Sequence, residues 1–251
     1  MKIGGIIDIS TKDIPGKACM VIFTVGCNFG CQFCHNKHLL RDDAGRKYSI
    51  KHLMSLAKNN YLVNAVSISG GEPALQPDLP DLCHKLSEQN KFVSIDTNGS
   101  HPDVIERVLP SIKRVALDLK TSLSIKRYEQ ITNTSVNIDN ILKTFHLLND
   151  ATHIQFEVRT TYIDNLLVED DIKEIITFLK ENLFTGNFVL QQYQYSEGVG
   201  EEFREKFQKP EHNTLLNFLK PYLNDDFSFD IYLRDEVVGY SEIHDVFQQI
   251  L

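Results

Sequence analysis

The sequence predicts an α/β protein of one domain, residues 1–251, built on parallel strands with helices between them. Three observations carry that prediction. Apolar runs of strand length are rich in β-branched residues, amphipathic stretches of helix length separate them, and polar residues gather where the runs end. Strands that alternate with helices lie parallel, because each crossover returns the chain to the same end of the sheet. No low-complexity segment, internal repeat or Pro/Gly-rich linker interrupts the pattern.

Cys19–Val25 opens the series as an apolar, β-branched run. Helix Ile50–Asn59 leads to strand Ala65–Ser69, which stops at Gly70-Gly71-Glu72-Pro73. Leu79–Gln89 reads as a helix, with Leu79, Leu82, Cys83 and Leu86 recurring at helical spacing. Strand Phe92–Asp96 runs into the turn-forming Asp96-Thr97-Asn98-Gly99. Helix Asp103–Leu109 precedes strand Arg114–Leu119, which ends in Asp118-Leu119-Lys120. Helix Ile138–Leu148 precedes strand His153–Thr160, which ends in Arg159-Thr160-Thr161. Asp170–Asn182 is the clearest helix, since Ile172, Ile175, Ile176 and Leu179 keep a 3.6-residue period. Strand Phe188–Tyr193 ends in Gln191-Gln192-Tyr193, and helix Thr214–Tyr222 and strand Phe227–Leu233 follow.

In open α/β sheets and β/α barrels, ligands bind at the carboxyl ends of the strands. The five consecutive polar strand ends therefore mark one site. Alternation along a strand puts Asp118 and Lys120 on one face, and likewise Glu157 and Arg159.

Composition narrows the class. With 26 Lys+Arg against 34 Asp+Glu, the formal net charge of −8 disfavours bulk nucleic-acid binding. No apolar run reaches the ~20 residues of a membrane span, and the first residues lack the apolar core of a secretory signal. Five cysteines, an odd and sparse set, do not make a disulfide scaffold, so a cytoplasmic, reducing compartment is expected. Cys19 and Cys83 lie in apolar surroundings and read as buried thiols.

The remaining three cysteines, Cys27, Cys31 and Cys34, form a C-x3-C-x2-C spacing in the loop after the first strand. Thiols so close together call for a metal, since otherwise they are an oxidation liability. Structural zinc would take a fourth ligand from His35 or His38, as in a binding module without catalysis. An iron–sulfur cubane held by three cysteines would instead leave one iron open to a non-protein ligand.

These residues resemble the radical S-adenosylmethionine (SAM) enzymes. C-x3-C-x-Phe33-C looks like that family's signature, and Gly70-Gly71-Glu72 like its GGE segment. The DTNG at Asp96–Gly99, the DLK at Asp118–Lys120, Arg159, the CHN at Cys34–Asn36 and the DIPGK at Asp13–Lys17 are similar to the activating enzymes of glycyl radical proteins. The resemblance covers about residues 6–195, a core in a partial (β/α)6 barrel, with 196–251 a C-terminal helix-and-strand extension. It implies one 4Fe–4S cluster on Cys27, Cys31 and Cys34, with SAM chelated at the open iron. Gly70 and Gly71 would admit the methionyl amino group, and Glu72 would accept from it or hold the loop. Asp96 and Asp118 would bind ribose hydroxyls or a monovalent cation, Thr97 and Asn98 belonging to the same cofactor-binding segment. Lys120 and Arg159 would meet the carboxylate, Phe33 would lie beside the adenine, and Gln192 would touch it where the pyruvate formate-lyase type has a stacking His. No conventional acid–base catalytic residue is implied, because the radical chemistry belongs to the cofactor. The implied partners are a large glycyl radical protein and a flavodoxin- or ferredoxin-type electron donor, under anaerobic conditions. No cysteine lies between Cys34 and Gly70 and none follows Cys83, so no auxiliary cluster is expected. The alternative is a stand-alone enzyme of the same chemistry acting on a small molecule, nucleoside or deazapurine precursor.

Overall fold

A computed structural model describes residues 1–41, 43–196, 199, 203 and 205–250. Residues 197, 198, 200–202, 204 and 251, all within the C-terminal extension, lie outside the described residues. The chain divides into two compact units interleaved in sequence, Met1–Gly30, Asn36–Leu117 and Asn137–Gln155 in the first, Cys31–His35, Asp118–Val136 and Phe156–Leu251 in the second.

In the first unit the strands are β1 (Lys2–Ile14), β2 (Lys17–Thr24), β3 (Arg46–Lys47), β4 (Ala65–Gly70), β5 (Phe92–Thr97) and β6 (Arg114–Asp118, whose last residue belongs to the second unit). They lie in the order β3-β1-β2-β4-β5-β6. β2, β4, β5 and β6 are mutually parallel, with Ile22 opposite Ile68, Ile68 opposite Ile95 and Ile95 opposite Val115. Those residues are fully buried, as strands covered on both faces require. Helices α1 (Ile50–Asn59), α2 (Leu79–Glu88) and α3 (Pro102–Val108) belong to this unit, as does the later Ile138–Asn149. Each buries its apolar stripe: Leu53 and Ala57 in α1, Leu82, Cys83 and Leu86 in α2, Ile141, Phe145 and Leu148 in Ile138–Asn149. Ser49 opens α1 by accepting from the His52 backbone N–H at 3.2 Å.

The second unit holds α4 (Ile125–Thr132), β7 (Gln155–Tyr162, whose first residue belongs to the first unit), α6 (Glu169–Glu181), β8 (Asn187–Gln192), α7 (His212–Leu219), β9 (Asp230–Asp235), β10 (Gly239–Glu242) and α8 (Ile243–Ile250), α5 being Ile138–Asn149. β7, β8 and β9 run parallel and β10 turns back antiparallel. Within each unit strands and helices make the mostly parallel α/β arrangement that is expected. No helix among the described residues is long and apolar enough to cross a membrane.

Three departures from expectation have local causes. β1, an antiparallel strand of 13 residues, precedes the first expected one, joined to it through Pro15-Gly16 with Gly16 at φ +67°. β7 starts at Gln155 because His153 and Ile154 are still in a turn, the Ile154 N–H reaching the Ala151 carbonyl at 3.4 Å. β6 stops at Asp118, and the Leu119 N–H bonds to the Arg159 carbonyl at 3.0 Å.

Candidate functional site

In the first unit the end of β4 folds over the start of the cysteine loop through backbone alone. Gly70 takes φ +114°, and a Cβ on Gly71 would sit 1.9 Å from the Gly26 carbonyl oxygen. The Gly71 N–H donates to the Thr24 carbonyl at 2.9 Å and the Glu72 N–H to the Gly26 carbonyl at 2.8 Å. Asn36, after the last cysteine, donates from Nδ2 to the Gly70 carbonyl at 3.1 Å. These two glycines thus serve first to let two loops touch.

Glu72 is 1% exposed. Its Oε1 accepts from the Ala74 N–H at 3.0 Å and the Thr97 hydroxyl at 2.7 Å, and Oε2 from the Asn98 N–H at 2.7 Å. The carboxylate therefore joins the loop after β4 to the loop after β5. Asn98 reaches on to Asn28 and to the Cys27 sulfur, 3.0 and 3.8 Å from its Nδ2. Asp96 meets the buried Arg114 guanidinium at 3.6 Å and the Ser69 hydroxyl at 3.4 Å.

The second unit brings together Asp118, Lys120 and Arg159. Lys120 Nζ and Arg159 Nε each lie 2.8 Å from a different oxygen of Asp118. Burial alone would raise the Asp118 pKa, but Arg159 and then Lys120 outweigh it and hold the carboxyl well below its usual range. Burial likewise opposes charge on Lys120, and Asp118, with Cys31 behind it, more than restores it, so this amine stays cationic above its ordinary range. Tyr128, fully buried on α4, accepts from the Lys120 backbone N–H at 3.2 Å and donates to the Asp118 carbonyl at 3.4 Å. The Thr160 hydroxyl donates to the Leu119 carbonyl at 2.9 Å.

Cys31 and Cys34 sit one turn apart, the Cys34 N–H donating to the Cys31 carbonyl at 3.2 Å. Between them Phe33 meets Phe207 edge to face, ring centroids 6.4 Å apart, and Gln32 accepts from Lys206 at 2.9 Å. His35 lies against Tyr193 at 5.4 Å, and burial, with Lys120 adding, pushes its imidazole below its usual pKa. Gln192 turns inward, donating to the Pro210 carbonyl at 2.8 Å and accepting from Gln194 at 2.6 Å and the Glu236 N–H at 3.2 Å.

Asn28, Ser100, Arg114 and Tyr128 were not anticipated. Asn28 lies inside the cysteine motif and Ser100 just past DTNG, so adjacency to a motif was a usable signal. Tyr128 sits on a helix the periodicity did not reveal, and Arg114 opens an otherwise apolar strand.

The donor set suits an iron–sulfur cubane. Among the described residues no three His, Cys, Asp or Glu side chains are grouped so as to hold one metal ion. A cubane makes no such demand, because each thiolate meets its own iron. Cys27 and Cys34 are partly exposed, and Cys31 is buried at 7% exposed.

A protein of Methanocaldococcus jannaschii, provisionally named a glycyl-radical enzyme activating enzyme, is 34% identical over 219 residues, covering 85% of this chain and 88% of its own. A Methanococcus maripaludis protein provisionally named GTP 3′,8-cyclase is 32% identical over 126 residues, 48% of this chain and 41% of its own. Among solved structures, Streptococcus suis SuiB bound to S-adenosylmethionine superposes with a TM-score of 0.67 at 23% identity, over 86% of this chain and 50% of SuiB. That likeness speaks to the fold alone, and this chain spans about half of SuiB's length. The radical SAM superfamily model matches residues 21–188, a stretch that takes in the cysteine loop, both glycine-bearing strand ends and Arg159, and the chain therefore belongs to the radical SAM superfamily.

Proposed function

We propose that the protein is an activating enzyme for a glycyl radical protein, taking hydrogen from a backbone glycine of a large partner. One observation carries this reading. The similarity to the M. jannaschii activating enzyme holds at 34% identity through 85% of this chain and 88% of that one, whereas a cyclase match of comparable reach, 85% of this chain and 76% of its own, is only 23% identical.

Membership of the superfamily brings a 4Fe–4S cluster and S-adenosylmethionine. When bound, the cluster and S-adenosylmethionine would supply one-electron reductive cleavage of the sulfonium, the source of the hydrogen-abstracting power. In our reading Cys27, Cys31 and Cys34 ligate three irons. Lys120 and Arg159 receive the methionyl carboxylate, Arg159 with the fork geometry that suits it. Asp118 fixes both cations, and the roles of ribose or monovalent-cation ligand fall to Asp118 and to Asp96. Gly70 and Gly71 keep the approach to the amino group free of side chains, and Phe33 lies beside the adenine. Glu72 and Gln192, their polar atoms bonded to the surrounding loops, act by positioning those loops. A flavodoxin- or ferredoxin-type protein supplies the electron.

The test uses anaerobically reconstituted protein, expected to be brown and to carry about four irons per chain. Reduced and mixed with SAM and a glycyl radical protein encoded beside its gene, it should produce a doublet electron-spin resonance signal on that partner. One 5′-deoxyadenosine should form per radical. Turnover of GTP or a free nucleoside without a protein-borne radical would favour the cyclase-like reading, and stoichiometric zinc in place of iron would remove both.

A further inference from the structure

Asn98 faces the cysteine loop in one defined orientation. Its Oδ1 accepts from the Ser100 backbone N–H at 3.0 Å and from the Ser100 hydroxyl at 2.6 Å. A backbone N–H can only donate, so the amide oxygen is fixed toward Ser100 and the NH2 must point the other way. Its two hydrogens then go to Asn28 Oδ1 at 3.0 Å and to Cys27 Sγ at 3.8 Å. The orientation is held from behind. The Ser100 hydroxyl, having given its hydrogen to Asn98, accepts from Asn28 Nδ2 at 2.9 Å and lies 2.8 Å from His101 Nδ1. The Asn98 backbone N–H is anchored on buried Glu72 at 2.7 Å, and the residue is 5% exposed.

We infer that Asn98 is a positioning residue for the cluster, an N–H···S donor that sets the reduction potential through Cys27. The inference rests on Cys27 being a cluster ligand. Reduction adds negative charge that spreads onto the ligating sulfurs, so a donor aimed at one of them stabilises the reduced form more than the oxidised one. Cys27 also receives the Phe29 backbone N–H at 3.4 Å, which survives any side-chain change nearby. The Asn98 contribution is the part that substitution can remove.

The full chain, anaerobically reconstituted, is titrated with reductant while its visible absorption is followed. Asn98→Ala should keep about four irons. At a fixed poise its reduced-to-oxidised ratio should fall about tenfold, which for one electron is about 59 mV. Asn28→Ala, which leaves the donor in place but frees the amide, should shift the ratio the same way by less, and it serves as the probe if Asn98→Ala does not fold. Cys27→Ala isolates the underlying reading: it should lose the cluster, and a retained cluster would overturn that assignment and this inference with it. If Cys27→Ala loses the cluster while both asparagine variants titrate like wild type, Asn98 does not act on it. A weaker affinity for SAM at unchanged potential would place Asn98 on the cofactor instead.

Discussion

Asp118 balances two cations, and the arrangement makes its energetics testable one group at a time. Its carboxyl titrates below the ordinary range through Arg159 and then Lys120, and the Lys120 amine above its own through Asp118. Stability from the carboxylate is thus present above its unfolded value of about 4 and lost as the pH falls through the depressed folded value, while the amine's share is lost only as the pH rises above about 10. The difference in thermal midpoint between wild type and Asp118→Asn should therefore be level from about pH 5 to pH 9 and shrink in acid. For binding, Lys120→Ala or Arg159→Ala should keep the iron and weaken SAM affinity by about 10- to 150-fold, the loss of one charge-assisted bond worth ~1.5–3 kcal/mol. Calorimetry unchanged in both variants would remove the carboxylate assignment. Glu72 offers a counterpart that is read in stability. Glu72→Gln turns an NH2 against N–H and O–H donors and should destabilise the fold by about 1–3 kcal/mol in denaturant titration.

At the level of elements, the end of β6 is held by a helix, α4, that the apolar period alone does not reveal. α4 carries Tyr128, whose hydroxyl spans Lys120 and Asp118. Tyr128→Phe leaves the Lys120 N–H without that acceptor and should cost about 1–3 kcal/mol, with SAM affinity falling in parallel. α6 is anchored by Asp171, which caps the Val168 N–H at 2.9 Å and takes Arg127 at 2.6 and 2.9 Å and Thr121 at 2.7 Å. The parallel strands and α6 were legible because continuous apolar runs and the Ile172–Leu179 period are one-dimensional signals. β1 was not, since Asp8, Ser10 and Lys12 break its apolar pattern and only the Pro15-Gly16 turn announces a hairpin. Lys120 and Arg159 were expected to share a ligand, but their common Asp118 joins residues 41 positions apart, and no spacing rule reaches that far. The side-chain hydrogen bonds of Glu72 and Gln192 were equally hidden, because burial of a polar group is decided by its neighbours.

For the molecule as a whole, the five thiols divide by burial. Cys19 and Cys83 are 0% exposed, and burial pushes the Cys19 thiol up to about 11 and the Cys83 thiol higher still. In metal-free protein a thiol reagent should modify Cys27 and Cys34 first under native conditions, Cys31 more slowly, and Cys19 and Cys83 only on unfolding. Mass mapping of the labelled peptides checks this, and fast labelling of Cys83 would contradict the packing of α2. Correspondingly, Cys19→Ala and Cys83→Ala should retain iron.

Of β1's 13 residues, only Lys2 and Ile3 pair with β3, so beyond them its outer edge has no strand partner among the described residues. A long, flat, apolar edge would be a template on which further copies could grow into fibres. This one is crooked and charged instead. Its register against β2 shifts at three places, Asp8, Lys12 and Asp13 interrupt its isoleucines, and Asn60 occupies the Asp8 carbonyl at 2.6 Å. The same irregularity that conceals the strand from a pattern reader thus guards the protein against self-templated aggregation, and replacing Asp8 and Lys12 by valine should make concentrated solutions precipitate.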